Sequence, residues 1–242
     1  ALPVAALASR DRVQDGNATV KPLTLQVLGG GRIEGELGID ARTEDPRWRT
    51  RLSLADIELK NFFRESRYFD ATQGKIQGRV VLAGTGRSLA QVMASADGHM
   101  AFALGGGTVS SLMVSLAGLQ IFDALILYVT GDNRIPIKCA VSRLNFQRGT
   151  VVFDRTLLDT QKSVLHVRGQ VSLQSQAVSA EIDADPKSFD LLDLHGTVAI
   201  QGKLREPRVS LGRVFPIPTP VFGNARDVAC AQVTQQVLAS PQ

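Results

Sequence analysis

Apolar and polar residues alternate with a period of two in several separate stretches of the chain. Ile33, Gly35, Leu37 and Ile39 fall on one side of such a stretch, and Ile76, Gly78, Val80 and Leu82 on one side of another. The pattern returns at Leu165, Val167, Gly169, Val171 and Leu173, at Val178, Ala180 and Ile182, and at Val198, Ile200, Gly202 and Leu204. The intervening positions carry Arg32, Glu34, Glu36, Gln77, Arg79, His166, Arg168, Gln170 and Lys203. Successive side chains of a strand point to opposite faces, so each stretch has one greasy and one wet face. That is the pattern of an antiparallel sheet covered on one side only. Glycine recurs inside these stretches, as in Gly-Lys-Ile-Gln-Gly at 74–78 and Gly-Thr-Val-Ala-Ile-Gln-Gly at 196–202. Glycine within a strand marks a bulge, a bend or a close backbone approach. The prediction is a mainly β fold: a curved, coiled antiparallel sheet with one apolar, groove-like face, and two or three helices packed on or beside it.

The helices are predicted where the period changes. Residues 88–96 read as a short helix with Ser88 as its N-cap and Gly98 beyond its end. Residues 108–129 follow the triple glycine at 105–107 and are apolar nearly all round, interrupted by Gln120 and Asp123. Asp123 at a bilayer centre would cost a few kcal/mol, so this segment is expected to pack on the sheet's apolar face rather than span a membrane. Residues 227–238 form a weaker last helix, after an extended Pro-Ile-Pro-Thr-Pro stretch at 216–220. No linker divides the chain, and 1–242 reads as one domain.

Composition narrows the chemistry. Apolar residues make up 44% of the 242, but aromatics only 5%, so the core is built from Val, Leu, Ile and Ala. A net charge of +4 permits anionic partners without requiring them. Basic residues are dispersed among 23 acids, which argues against nucleic-acid binding. One cluster, Arg42, Arg47, Trp48, Arg49 and Arg51, fits either a membrane interface with its anionic headgroups or a solvated strand edge protected by charge. No nucleophile elbow, zinc-protease motif, phosphate-binding loop or calcium loop is present, so no catalytic residue, metal ligand or cofactor is assigned. His99, His166 and His195 are isolated in sequence. Asp183, Asp185 and Asp190 are expected to decorate a turn around Pro186. Cys139 and Cys230 have no metal-type spacing, and two free thiols or one long-range disulfide fit the sequence equally. The first eight residues lack the charged start of a signal peptide and are too short to span a bilayer.

An ordered series of short motifs resembles the C-terminal region of the AsmA family. It runs through Gly-Gly-Gly-Arg-Ile-Glu-Gly at 29–35, the 74–78 motif, Leu-Ala-Gly-Thr-Gly-Arg-Ser-Leu at 82–89, Ala-Asp-Gly at 96–98 and Gly-Gly-Thr-Val-Ser at 106–110. It continues with Lys-Cys-Ala-Val at 138–141, Leu-Asp-Thr at 158–160 and Gly-Lys-Leu-Arg-Glu-Pro-Arg-Val at 202–209. The resemblance implies a non-enzymatic, periplasmic part of a larger protein anchored in the bacterial inner membrane. It also implies a curved β-groove that carries or bridges phospholipid between the inner and outer membranes. On that reading Leu37, Ile76, Val80, Leu82, Val167, Val171, Val198 and Ile200 face lipid, and Arg47, Trp48 and Arg49 lie near headgroups. The other reading is a structural or assembly factor for the outer membrane that carries no lipid. An oxidising periplasm would also join Cys139 to Cys230.

Overall fold

A computed structural model of the chain describes residues 4–59, 73–110, 134–161, 163–187, 197–211 and 225–239. They form a single curved, open sheet of thirteen antiparallel strands. The strands are β1 (Val4–Gln14), β2 (Asn17–Val27), β3 (Arg32–Asp40), β4 (Arg47–Glu58), β5 (Lys75–Thr85), β6 (Asp97–Leu104), β7 (Gly107–Ser110), β8 (Arg134–Gln147), β9 (Thr150–Thr160), β10 (Ser163–Ser172), β11 (Ala177–Pro186), β12 (Thr197–Lys203) and β13 (Glu206–Leu211). Two helices are described, α1 (Leu89–Ala94) and α2 (Cys230–Leu238).

Strands adjacent in sequence pair with one another except β6 and β7, which both lie along β8, β7 continuing the line of β6. At about 4.8 Å between strands, the twelve-strand path runs roughly 50 Å in the hydrogen-bonding direction. This meander gives the sheet two unlike rims. One rim carries short turns, at 15–16, 41–46, 148–149, 173–176 and 204–205, together with α1. The longer connections, 59–74, 111–133, 187–196 and 212–229, all leave from the opposite rim.

The helix expected at 88–96 is present. Ser88 caps it, its hydroxyl accepting the Gln91 N–H. The helix expected at 108–129 is corrected at its start, because 107–110 form β7, paired to β8 and bridged through Thr108 to Gln73. The triple glycine therefore links two collinear strands rather than a strand and a helix. Residues 111–129 lie outside the described residues. The last helix begins at Cys230 rather than at 227.

Asp183 and Asp185 are corrected as well. They stand on β11, not in a turn. Asp183 accepts the Thr197 hydroxyl and pairs with Arg168, and Asp185 faces His166. Asp190 and His195 lie outside the described residues. His99 is on β6 and His166 on β10, with β8 and β9 between them.

Candidate functional site

Directly paired residues of an antiparallel sheet share a face, so the register can be followed from strand to strand. One row runs Val20, Leu37, Thr50, Leu82, Gly98, Phe146, Val151, Val171, Val178. The next rows on the same face contain Val80, Met100, Leu144, Phe153 and Ile200, then Ile33, Leu54, Phe102, Val167, Ile182 and Val198, then Ile57, Ile76, Leu104, Leu158 and Leu165. All eight residues assigned to lipid from sequence thus fall on one face. Bulges would ordinarily flip a strand. Here the one in β4 after Leu54 brings Ile57, rather than a polar neighbour, into register with Ile76. The left-handed residue Asp56 sits inside it.

This face is an apolar trough. Three buried clusters succeed one another along it. The first is Val27, Ile33 and Ile57, the second Ala96, Phe146 and Val151, and the third Leu165, Ile182, Val198 and Ile200. Helix α1 closes the short-turn rim, with Met93 packed among Leu82, Met100 and Phe146. In the middle lies a cavity of about 350 Å³ lined by Leu54, Ile76, Phe102, Leu104, Leu158 and Val167, among others. Two hydroxyls stand in its floor, Ser142 and Thr156, and they hydrogen-bond to each other at 2.8 Å. That bond takes up one of the two O–H donors, so the pair is less polar than two separate hydroxyls.

Helix α2 lies on the other face. Val237, fully buried, packs with Ala101, Ala103 and Val141, which alternate with the trough residues along β6 and β8. Arg143 donates to the carbonyls of Gln236 and Val237, and Arg155 to the Gln236 side chain. These cations meet the negative end of the helix dipole. Among the described residues, the terminal helix therefore leaves the trough uncovered.

Alternation also divides the arginine–tryptophan cluster. Trp48 pairs with Ile39 and Gly84 on the trough side, its indole N–H donating to the Gly86 carbonyl. Arg47, Arg49 and Arg51 point to the outer face, where Arg51 is paired with Glu36. The three residues named for headgroups do not form one patch. The strand-edge reading is corrected too, because β4 is flanked by β3 and β5.

The start of α2 is fastened at the long-connection rim. Cys139 and Cys230 form a disulfide, with Cα atoms 5.9 Å apart. Beside it the fully buried Asp159 accepts the Val228 N–H at 2.9 Å and is ion-paired to Lys187. Lys187 also donates to Asp227, as does Lys138 at 2.7 Å. Burial pulls the Lys187 ammonium down, but Asp159 and Asp227 outweigh it and leave its pKa above the ordinary lysine value. The hydrogen bonds from Lys138 and Lys187 hold the Asp227 carboxyl down at about 2. Sequence reasoning missed this cluster, because its members are spread from 138 to 227. The Leu-Asp-Thr motif at 158–160 and the Lys-Cys-Ala-Val motif at 138–141 each carried members of it.

A carboxyl with a lowered folded pKa stabilises the fold fully above its unfolded value, near 4, and loses that contribution as the pH falls towards 2. Amide protection at the start of α2, relative to the intrinsic exchange rate at each pH, should therefore fall between about pH 4 and pH 2. Asp227→Asn should speed exchange at neutral pH and flatten that acid response. An unchanged response in Asp227→Asn would assign the effect to another carboxyl.

The AsmA family model matches residues 2–156, more than half of the chain. The chain belongs to the AsmA family. AsmA family protein YhjG of Escherichia coli (strain K12) is 21% identical over 210 residues, which is 87% of this chain and 30% of YhjG. The chain thus spans less than a third of that relative's length. No solved structure matches. AsmA family proteins are envelope-associated and implicated in envelope biogenesis. No helix among the described residues is long and apolar enough to cross a membrane.

Proposed function

We propose that this AsmA domain is a lipid-binding and transfer module, acting by binding rather than catalysis. Its trough holds phospholipid acyl chains and carries or bridges them between the inner and outer membranes. In this reading the domain stands in the periplasm as part of a protein anchored to the inner membrane. The observation that carries the proposal is the apolar face in register from β2 to β13, with a cavity of about 350 Å³ in its floor. On this face the described helix α1 closes only the short-turn rim. Among the described residues α2 instead packs on the opposite face. Apolar clefts of this size with few polar groups are typical of small-ligand sites.

Native mass spectrometry of the purified protein should detect bound phospholipid. Val167→Asp places a charge in the cavity wall at a half-buried position. It should abolish lipid retention while leaving the circular dichroism spectrum unchanged. Protein that carries no phospholipid, and takes up none from vesicles, would favour the assembly role instead.

A further inference from the structure

We propose that Cys139–Cys230 is a thiol–disulfide exchange site served by Asp159, through which a dithiol reductant releases α2 from the outer face. The geometry is that of an exchange site rather than of a plain staple. Cys139 is fully buried on β8, whereas Cys230 is half-buried and is the first residue of the nine-residue α2. The Asp159 carboxylate lies within 4.8 Å of both sulfurs. Asp159 also holds the Val228 N–H and Lys187, and burying a carboxylate is costly even when it is paired. A disulfide that opens and closes needs a proton acceptor and donor at its inaccessible sulfur, and Asp159 supplies it.

The chemistry balances. A thiolate of the dithiol attacks Cys230 Sγ, the sulfur of the less buried cysteine. The S–S bond breaks and its electron pair leaves on Cys139 Sγ, which takes up a proton passed through Asp159 from the Lys187 ammonium paired with it, and Lys187 recovers a proton from solvent. The reductant's second thiolate then attacks the reductant sulfur of the mixed disulfide. That closes the reductant's own disulfide and expels Cys230 as a thiolate, in the position where a helix N-terminus stabilises it. The dithiol has lost two electrons and the protein has gained two thiols. On reoxidation the steps reverse, and Asp159 takes the Cys139 proton as that sulfur attacks.

The consequence is local. Asp159 also accepts the Val228 N–H, so the same carboxylate senses the bond and holds the segment the bond retains. Once the bond opens, α2 is held by Val237 against Ala101, Ala103 and Val141, by the Arg143 and Arg155 hydrogen bonds, and by the Lys138 and Lys187 pairs to Asp227. Its departure bares an apolar patch on the face opposite the trough. The inference does not depend on what the trough binds.

The test is reduction of the oxidised protein by dithiothreitol under native conditions, with thiols trapped by alkylation and counted by mass. The wild-type rate should not change with urea below the unfolding transition. Amides of α2 should lose protection on reduction while those of β5 to β10 keep theirs. Asp159→Asn should slow both reduction and reoxidation at least tenfold. A wild-type rate that rises with the unfolded fraction would overturn the proposal, whether or not the variant folds. So would a folded Asp159→Asn protein that exchanges at the wild-type rate.

Discussion

Replacing both cysteines, as Cys139→Ala with Cys230→Ala, should lower the free energy of unfolding by about 4–5 kcal/mol. The bond closes a loop with a sequence separation of 91. In the chain-entropy account, a cross-link of that span removes much of the freedom of the unfolded chain. The loss should show in urea titration as a lower midpoint. The early part of the transition should report detachment of α2, because its contact with the sheet is confined to a few residues of β6, β8 and β9. Tryptophan fluorescence follows Trp48, far from α2 on β4, and should change only in the later part. A single coincident transition with an unchanged midpoint would contradict this.

Gly98→Ala should cost about 2–5 kcal/mol, from a strained backbone and an overpacked contact together. Gly98 has φ of +132°, and an added Cβ would sit 2.1 Å from the Val81 carbonyl oxygen. It lies in the trough floor between Leu82 and Phe146, where the neighbouring backbone occupies the place of a side chain. Gly38→Ala is the matched control. That residue has nothing within 4 Å of its would-be Cβ and no left-handed φ. The change there should be neutral or should stabilise by about 0.4–1 kcal/mol, since alanine is less free when unfolded. Equal effects at the two sites would mean that neither the positive φ nor the close backbone approach at Gly98 constrains the fold.

The contrast between these glycines also explains what could be read from the chain. Alternation at 33–39, 76–82 and 165–171 was enough to assign both the strands and the trough face, because the side-chain period of a strand is fixed at two. Glycines within those runs marked the bends. The N-cap of α1 was legible because Ser88 makes a local bond. The stretch at 108–110 was read as the start of the apolar segment that follows it, since only its pairing with 134–136 fixes it as a strand. The side of the sheet that α2 covers was hidden as well. Val237 is ordinary in sequence, and only tertiary packing sets it against Ala101 and Val141. The Asp159 cluster could not be assembled for the same reason: two of its motifs stood out, but its members meet only across strands and a distant helix.

The paired hydroxyls of Ser142 and Thr156 bear on how readily a bound chain could travel. A lone hydroxyl in a greasy channel would be a sticking point for any polar atom or water that reached it. With one donor taken up by the other hydroxyl, the trough floor offers a weaker stopping place at its centre than two separate hydroxyls would. An alkyl chain displaced by one methylene meets much the same surface as before. Friction along the interior would then be low and nearly uniform. The slow step of transport would move to the two ends, where a lipid must enter or leave.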